Sequence, residues 1–313
     1  MCPMIRPKCL KHGNRIALIA PSSPVDSEQL MLAVDSVRFL GMIPVIYPSA
    51  TKVHGYLSGS DTVRAADIVN AFANPAIDAV FCLRGGYGVS RILEKIDYRV
   101  ISKNPKLLLG YSDITALHIA INQLCNLVTL HSPMPSRGWE TLDSVTLGSL
   151  TECLFSPEPI GQTPVIEGQS LEIINAGVAE GPIIGGNLSV LNATLGSPYE
   201  INTKNKILFI EDVNEKHYQI DRGLTALALA GKFKDCVGII LGTWADCGDP
   251  DLLPEQNLSL HQIFDEIIKP FGKPTVNNLR AGHIYPQISI PMGVKTRLNT
   301  KKRTVEFLEA ATQ

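Results

Sequence analysis

The sequence predicts an α/β protein whose first half is built on a parallel sheet. In residues 1–135, short and wholly apolar runs alternate with segments of helical periodicity. Each of those runs ends in a glycine-rich or polar turn. Strands that are apolar throughout are buried on both faces, as they are when helices cover both sides of a parallel sheet. Right-handed crossovers then bring the C-terminal ends of the strands, and with them the ligand site, to one edge.

The elements follow in order. Arg15 to Ala20 is the first strand-like run, closed by Pro21-Ser22-Ser23-Pro24. Asp26 to Leu40 reads as a helix stopped at Gly41, and Ile43 to Tyr47 as the second strand. A helix from Asp61 to Phe72 precedes the strand Asp78 to Leu83 and the turn Arg84-Gly85-Gly86-Tyr87-Gly88. A short helix from Val89 to Glu94 leads to the strand Lys106 to Leu109, which runs into Gly110-Tyr111-Ser112-Asp113. The helix Ile114 to Leu124 and the strand Leu127 to His131 complete this part.

Residues 136–176 carry several prolines and weak periodicity, and read as a linker with some irregular strand. A second unit, 177–313, begins near Gly177. It holds Gly185-Gly186-Asn187-Leu188-Ser189, the run Lys206 to Asp212, a helix from Gln219 to Ala230 and the run Val237 to Gly242. A helix from Leu258 to Ile268 follows. Val276 to His283 and two hairpin-like runs, Gly293 to Leu298 and Thr304 to Leu308, finish it.

The 313 residues carry a formal net charge of -2, with 45% hydrophobic and 19% charged residues. That balance gives no general attraction to nucleic acid or acidic membranes. No apolar stretch approaches the ~20 residues that span a bilayer, and Met1 to Lys8 lacks the apolar core of a secretory signal. The seven cysteines, Cys2, Cys9, Cys82, Cys125, Cys153, Cys236 and Cys247, are odd in number and form no C-x-x-C pair. A disulfide framework or zinc site is not expected, and a reducing cytoplasm is. Cys82, Cys125 and Cys236 lie in apolar surroundings and read as core residues.

Ser112 stands between a strand and a helix. It reads either as a nucleophile facing the first free amides of the helix or as the N-cap of that helix. The hydrolase elbow G-x-S-x-G is incomplete, because Ile114 holds its last position. Glu211 and His283 end other predicted strands, and Ser, His and carboxylate are the parts of a triad. Each also has a structural reading, as a cap and as a loop residue. Gly85-Gly86 offers unobstructed amides for an oxyanion, or a turn that needs positive φ. Gly86-Tyr87-Gly88-Val89-Ser90-Arg91 fails as a dinucleotide fingerprint, with arginine at the third glycine. No phosphate loop and no H-E-x-x-H motif is present, so no cofactor and no metal is expected. His217, near Glu211 in sequence, is the rival to His283. His131 is a further cleft candidate, and His118 reads as a helix residue.

Taken together, these motifs resemble the LD-carboxypeptidase family of serine peptidases, which includes the microcin C immunity-type hydrolases. The matching elements are Ile19-Ala20-Pro21-Ser22-Ser23-Pro24, Arg84-Gly85-Gly86-Tyr87-Gly88, Gly110-Tyr111-Ser112-Asp113, Gly185-Gly186-Asn187-Leu188-Ser189, Phe209-Ile210-Glu211-Asp212, Tyr218-Gln219-Ile220-Asp221-Arg222 and Ala281-Gly282-His283. The resemblance implies a flavodoxin-like N-terminal domain carrying Ser112 and a C-terminal, mainly β domain carrying Glu211 and His283. It implies oxyanion donors at the backbone N–H groups of Asp113 and Gly86, with Gly85 the alternative to Gly86. The implied reaction releases the terminal D-alanine of muramoyl tetrapeptide, cutting after the L-centre of a diamino acid, in cytoplasmic recycling of cell-wall peptides by a homodimer.

The pattern departs at His131-Ser132-Pro133, where the family usually has a central glycine. Arg84, Asn187 and Trp139 are the candidate substrate contacts. Trp139 would either stack on a base or sugar or anchor the 136–176 segment. A hydrolase of aminoacyl-nucleotide amides with the same mechanism is the first alternative reading, and a non-catalytic two-domain binding protein the second.

Overall fold

A computed structural model describes residues 4–249, 253 and 256–313. Cys2 lies outside them. The first half alternates as expected: β1 (Arg15–Ile19), α1 (Ser27–Phe39), β2 (Ile43–Ile46), α2 (Asp61–Ala73), β3 (Ala79–Cys82), α3 (Tyr98–Lys103), β4 (Leu107–Gly110), α4 (Thr115–Cys125) and β5 (Thr129–His131). Val89–Lys95, expected as an α-helix, is a 3-10 helix. Local chemistry sets the helix starts. Asp26 caps α1 by accepting from the Gln29 amide, with the Gln29 side chain returning the bond, and Ser60 caps α2 through the Val63 amide. β3 and β4 are buried at every position, as a sheet covered on both faces requires.

The chain continues with α5 (Ser144–Phe155), β6 (Gly161–Gln162), β7 (Glu172–Asn175), β8 (Val178–Asn187), α6 (Leu188–Ala193), β9 (Ile207–Val213), α7 (His217–Leu229), α8 (Lys232–Asp235), β10 (Gly238–Ala245), α9 (Leu260–Ile267), β11 (Thr275–Asn277), β12 (Ile290–Met292), β13 (Lys295–Asn299) and β14 (Thr304–Phe307). The first sheet has the order β12-β5-β4-β3-β1-β2 and the second the order β6-β14-β13-β8-β9-β10-β11-β7. β2, β1, β3, β4 and β5 pair in parallel, as do β8, β9, β10 and β11. The outer strands of the second sheet are antiparallel.

β9 shows how the second sheet serves two cores. Leu208 and Ile210 enter a cluster with Leu188, Ile220 and Leu224 of α6 and α7. Ile207 and Phe209 face the other way, into a cluster with Val128, Ile290 and Met292. The period-2 alternation of a strand therefore puts Glu211 on the Phe209 side, toward the first sheet. β12 belongs to the C-terminal half of the sequence, yet it pairs antiparallel with β5 in the first sheet.

The 136–176 segment is more ordered than its sequence suggested. α5 buries Thr146, Leu150, Cys153 and Leu154, and its N-cap Asp143 accepts from the amides of Val145 and Thr146. Thr146 and Gly148 diluted the apolar stripe, so the periodicity was weak. β6 and β7 close the two ends of the second sheet. Trp139 is fully buried in the first core, its ring 5.6 Å from that of Phe81 and its indole N–H donating to the Pro133 carbonyl. A side chain so enclosed is a packing anchor. Trp139→Ala is expected to cost roughly 3–5 kcal/mol of stability, read as a lower midpoint of urea unfolding.

Candidate active site

β4 delivers Ser112 to the edge of the first sheet with an uncommon backbone. Its φ is 66°, in the left-handed region, where an L-residue costs about 1–2 kcal/mol. Neither the 3-10 turn Ser112–Ile114 nor α4 receives a side-chain cap bond. The cap reading of Ser112 therefore falls, and the strained backbone instead lifts the side chain clear of the sheet. Gly85 stands opposite. A Cβ on it would lie 2.7 Å from Ser112 Cβ, 2.9 Å from Oγ and 3.4 Å from the Asp113 amide nitrogen. Glycine there keeps open the space that the serine hydroxyl and the Asp113 amide share. Gly86 has φ 105°, and a Cβ on it would come within 2.3 Å of Ser23 Oγ.

The Asp113 side chain turns inward. It is buried, and its carboxylate accepts from the Ser22 hydroxyl at 2.5 Å and the Val89 amide at 2.9 Å. Burial pushes its carboxyl above the usual range, and the two hydrogen bonds oppose that shift.

His283 approaches from the second sheet. Its Nδ1 lies 2.8 Å from Glu211 Oε2. The Glu211 side chain is 0% exposed and that of His283 14%, so one partner is sealed and the other reaches the cleft. Burial pushes the Glu211 carboxyl up, and the imidazole holds it down in part. Gly282 makes the approach feasible, since its φ is +120° and a Cβ would come 2.6 Å from Glu211 Oε2. Glu211 sits near the C-terminal end of β9, as its run implied, whereas His283 lies in the loop between β11 and β12 rather than at a strand end.

Ser112, His283, Arg84, Gly85 and Gly86 line one cleft of about 310 Å³, together with Gln29, Tyr111, Met134, Ser136 and Arg137. Arg84 donates to the Pro24 carbonyl at 3.0 Å. Asn187 is elsewhere. Its Oδ1 accepts from the Val190 amide to cap α6, and its Nδ2 donates to Asp212 at 2.6 Å. The side chain also reaches Glu211, and it is not among those that line the cleft. Trp139, fully buried, does not line it either. His217 opens α7, outside the cleft lining.

Sequence reasoning missed Tyr111 and Arg137. The Tyr111 ring packs 4.8 Å from that of His283 and 5.8 Å from that of His131, which meets Phe209 edge-on at 5.3 Å. Tyr111 is the residue before the serine, but nothing in its own sequence context marks it. Arg137 lay in the stretch read as linker.

Beneath the serine turn, His118 holds Thr129 Oγ1 and the Gly110 carbonyl, each at 2.9 Å. Burial pushes its pKa down to about 4, and that of His131 well below the ordinary histidine range. Unfolded histidine titrates near 6.5. Between pH 6.5 and about 4 the unfolded chain thus takes up protons that the folded one refuses, and these groups destabilise the fold as pH drops through that window. Asp113 and Glu211, raised by burial, work in the opposite sense. Urea midpoints measured at several pH values across this window are expected to fall less steeply for His118→Gln than for the native chain.

The architecture agrees with comparisons to known proteins. Residues 16–132 match the model of the LD-carboxypeptidase N-terminal domain, and residues 180–298 that of the LD-carboxypeptidase C-terminal domain. This chain belongs to the LD-carboxypeptidase family. It is 40% identical to a probable murein peptide carboxypeptidase of Bacillus subtilis, over 96% of this chain and 93% of the relative. A muramoyltetrapeptide carboxypeptidase from Oxalobacter formigenes superposes with a TM-score of 0.81 at 27% identity, covering 94% of this chain and 97% of the other. An MccF-like protein from Bacillus anthracis gives 0.86 at 30% identity, with 97% and 99% covered.

Proposed function

We propose that this chain is a serine carboxypeptidase that releases the terminal D-alanine of muramoyl tetrapeptide, cutting after the L-centre of a diamino acid. It would act as a cytoplasmic homodimer in the recycling of cell-wall peptides. The observation that carries the reading is the left-handed Ser112 sharing one cleft with a histidine paired to a sealed carboxylate. Family membership supplies the reaction class.

In this mechanism His283 Nε2 takes the Ser112 hydroxyl proton as Oγ bonds to the peptide carbonyl carbon. The Asp113 N–H and the amide of Gly86 or Gly85 hold the resulting oxyanion. Glu211 accepts from His283 Nδ1–H, which fixes the tautomer and stabilises the imidazolium. The imidazolium then protonates the leaving nitrogen as the C–N bond breaks, and D-alanine departs. Water, deprotonated by His283, attacks the acyl carbon; the ester bond to Oγ breaks and the imidazolium returns the proton to Ser112. Each step is proton transfer and acyl transfer, so the side chains named account for every proton moved.

Aminoacyl-nucleotide hydrolysis would use the same groups. The burial of Trp139 removes the aromatic side chain proposed to stack on a base and weighs toward the peptide. Assaying muramoyl tetrapeptide beside an aminoacyl sulfamoyl adenosine tests the choice. Faster turnover of the nucleotide would overturn the peptide reading. Ser112→Ala is expected to lower kcat on the tetrapeptide by about 10³-fold or more with folding intact. Full activity in that variant would remove Ser112 from the chemistry. Gly282→Ala, which drives a Cβ into the Glu211 carboxylate, is expected to cost about a hundredfold in kcat while the far-ultraviolet circular dichroism stays native.

A further inference from the structure

We propose that Arg137 anchors the free C-terminal carboxylate of the leaving amino acid, and so restricts the cleft to the last peptide bond of a chain. The proposal rests on the carboxypeptidase reading above and deepens it. The cleft lining contains two cationic side chains, Arg84 and Arg137, and no carboxylate. Glu211 is sealed behind His283. The chain as a whole is slightly negative, at -2, so a cleft of this sign is a local feature. Among the described residues neither arginine is in an ion pair. A guanidinium without a carboxylate partner, at the mouth of a cleft, is suited to a bidentate anion supplied by a ligand.

Position separates the two arginines. The carboxylate carbon of a leaving amino acid is two bonds from the nitrogen that His283 protonates, so its anchor must sit on the His283 side. Arg137 meets that condition. It lines the cleft with Tyr111 and His283, its charge acts on the Tyr111 hydroxyl, and the Tyr111 ring packs at a tilt 4.8 Å from the His283 ring. Its charge also reaches Tyr285, in the same loop as His283. Arg84 directly precedes Gly85, the residue that faces Ser112, and has a donor committed to the Pro24 carbonyl. The left-handed Gly138 that ends the Pro135–Arg137 turn and the buried Trp139 after it fix the backbone from which Arg137 projects. Trp139 thus contributes to the cleft through the main chain, without touching a ligand.

The test compares kcat/KM for muramoyl tetrapeptide ending in D-alanine with that for the same compound ending in D-alaninamide. The native enzyme is expected to favour the acid. In Arg137→Met that preference should shrink by roughly ten- to a hundredfold, the worth of a charge-assisted hydrogen-bonded pair. Arg137→Lys should recover part of it, and Arg84→Met should leave the ratio near native. Equal proportional losses on both compounds in Arg137→Met would mean that Arg137 only supports Tyr111, and would overturn the proposal. So would a ratio that collapses in Arg84→Met instead, or an unchanged ratio in Arg137→Met. If the native enzyme releases product from neither compound, the carboxypeptidase reading is what fails. The anchor is then judged by calorimetric titration of both compounds into Ser112→Ala and Ser112→Ala/Arg137→Met. A loss of acid-over-amide preference in the double variant supports it, and the same preference in both proteins overturns it.

Discussion

The geometry of the cleft depends on the buried carboxylate of Asp113. It sits one residue past the strained serine and accepts at once from the Ser22 hydroxyl and the Val89 amide. Three loops that leave three different strands of the first sheet are thereby tied to one point. Arg64 adds a second tie below, donating to the carbonyls of Pro21 and Gly88, which belong to two of those loops. An uncommon backbone conformation persists only where its surroundings over-determine it. Here the determining groups are an acid and a base kept dry by the loops they fasten. Gly85 completes the arrangement by having nothing where a side chain would fill the space over the hydroxyl.

The second half meets a different constraint. Glu211 lies within a strand, on the face that looks toward the first sheet, where a lone carboxylate would be costly. His283 offsets that cost and is itself oriented by the contact. Rings continue the contact away from the carboxylate: His283, Tyr111, His131 and Phe209 touch in turn, and Phe209 is on the same strand face as Glu211. The imidazole therefore has a hydrogen bond on one edge and aromatic surface on another. Ser132 adds a link at the same level, its hydroxyl 2.6 Å from that of Ser289, near β12. A glycine at that position could not make this bond.

The first sheet was legible because buried parallel strands leave runs such as Leu107 to Leu109 that resemble little else, and because Asp26, Gly41 and Ser60 mark helix ends in the usual way. Ser112, Glu211 and His283 were legible as candidates through their motifs, but the backbone of Ser112 and the loop position of His283 were not. Positive φ at Ser112 cannot be read from Tyr111-Ser112-Asp113, which looks like an ordinary cap. The loop position of His283 was hidden because Val276 to His283 reads as one run, although β11 ends at Asn277. α5 escaped because its buried face includes Thr146 and Cys153, so its stripe is only partly apolar. Arg137 and Tyr111 gain their meaning from neighbours far away in sequence, which no local pattern records. The partners of Asn187, which are the Val190 amide, Asp212 and Glu211, were likewise out of reach of its glycine motif.

The three residues of β12 have a consequence for how the molecule comes into being. They are made only after some nine-tenths of the chain, yet they complete a sheet whose other strands all lie before residue 132. Without that late segment β5 would be the edge strand of the first sheet, beside the strand that carries the serine turn. The imidazole comes from the loop just ahead of β12. Closing the first sheet and bringing His283 to the cleft therefore draw on one short stretch of chain.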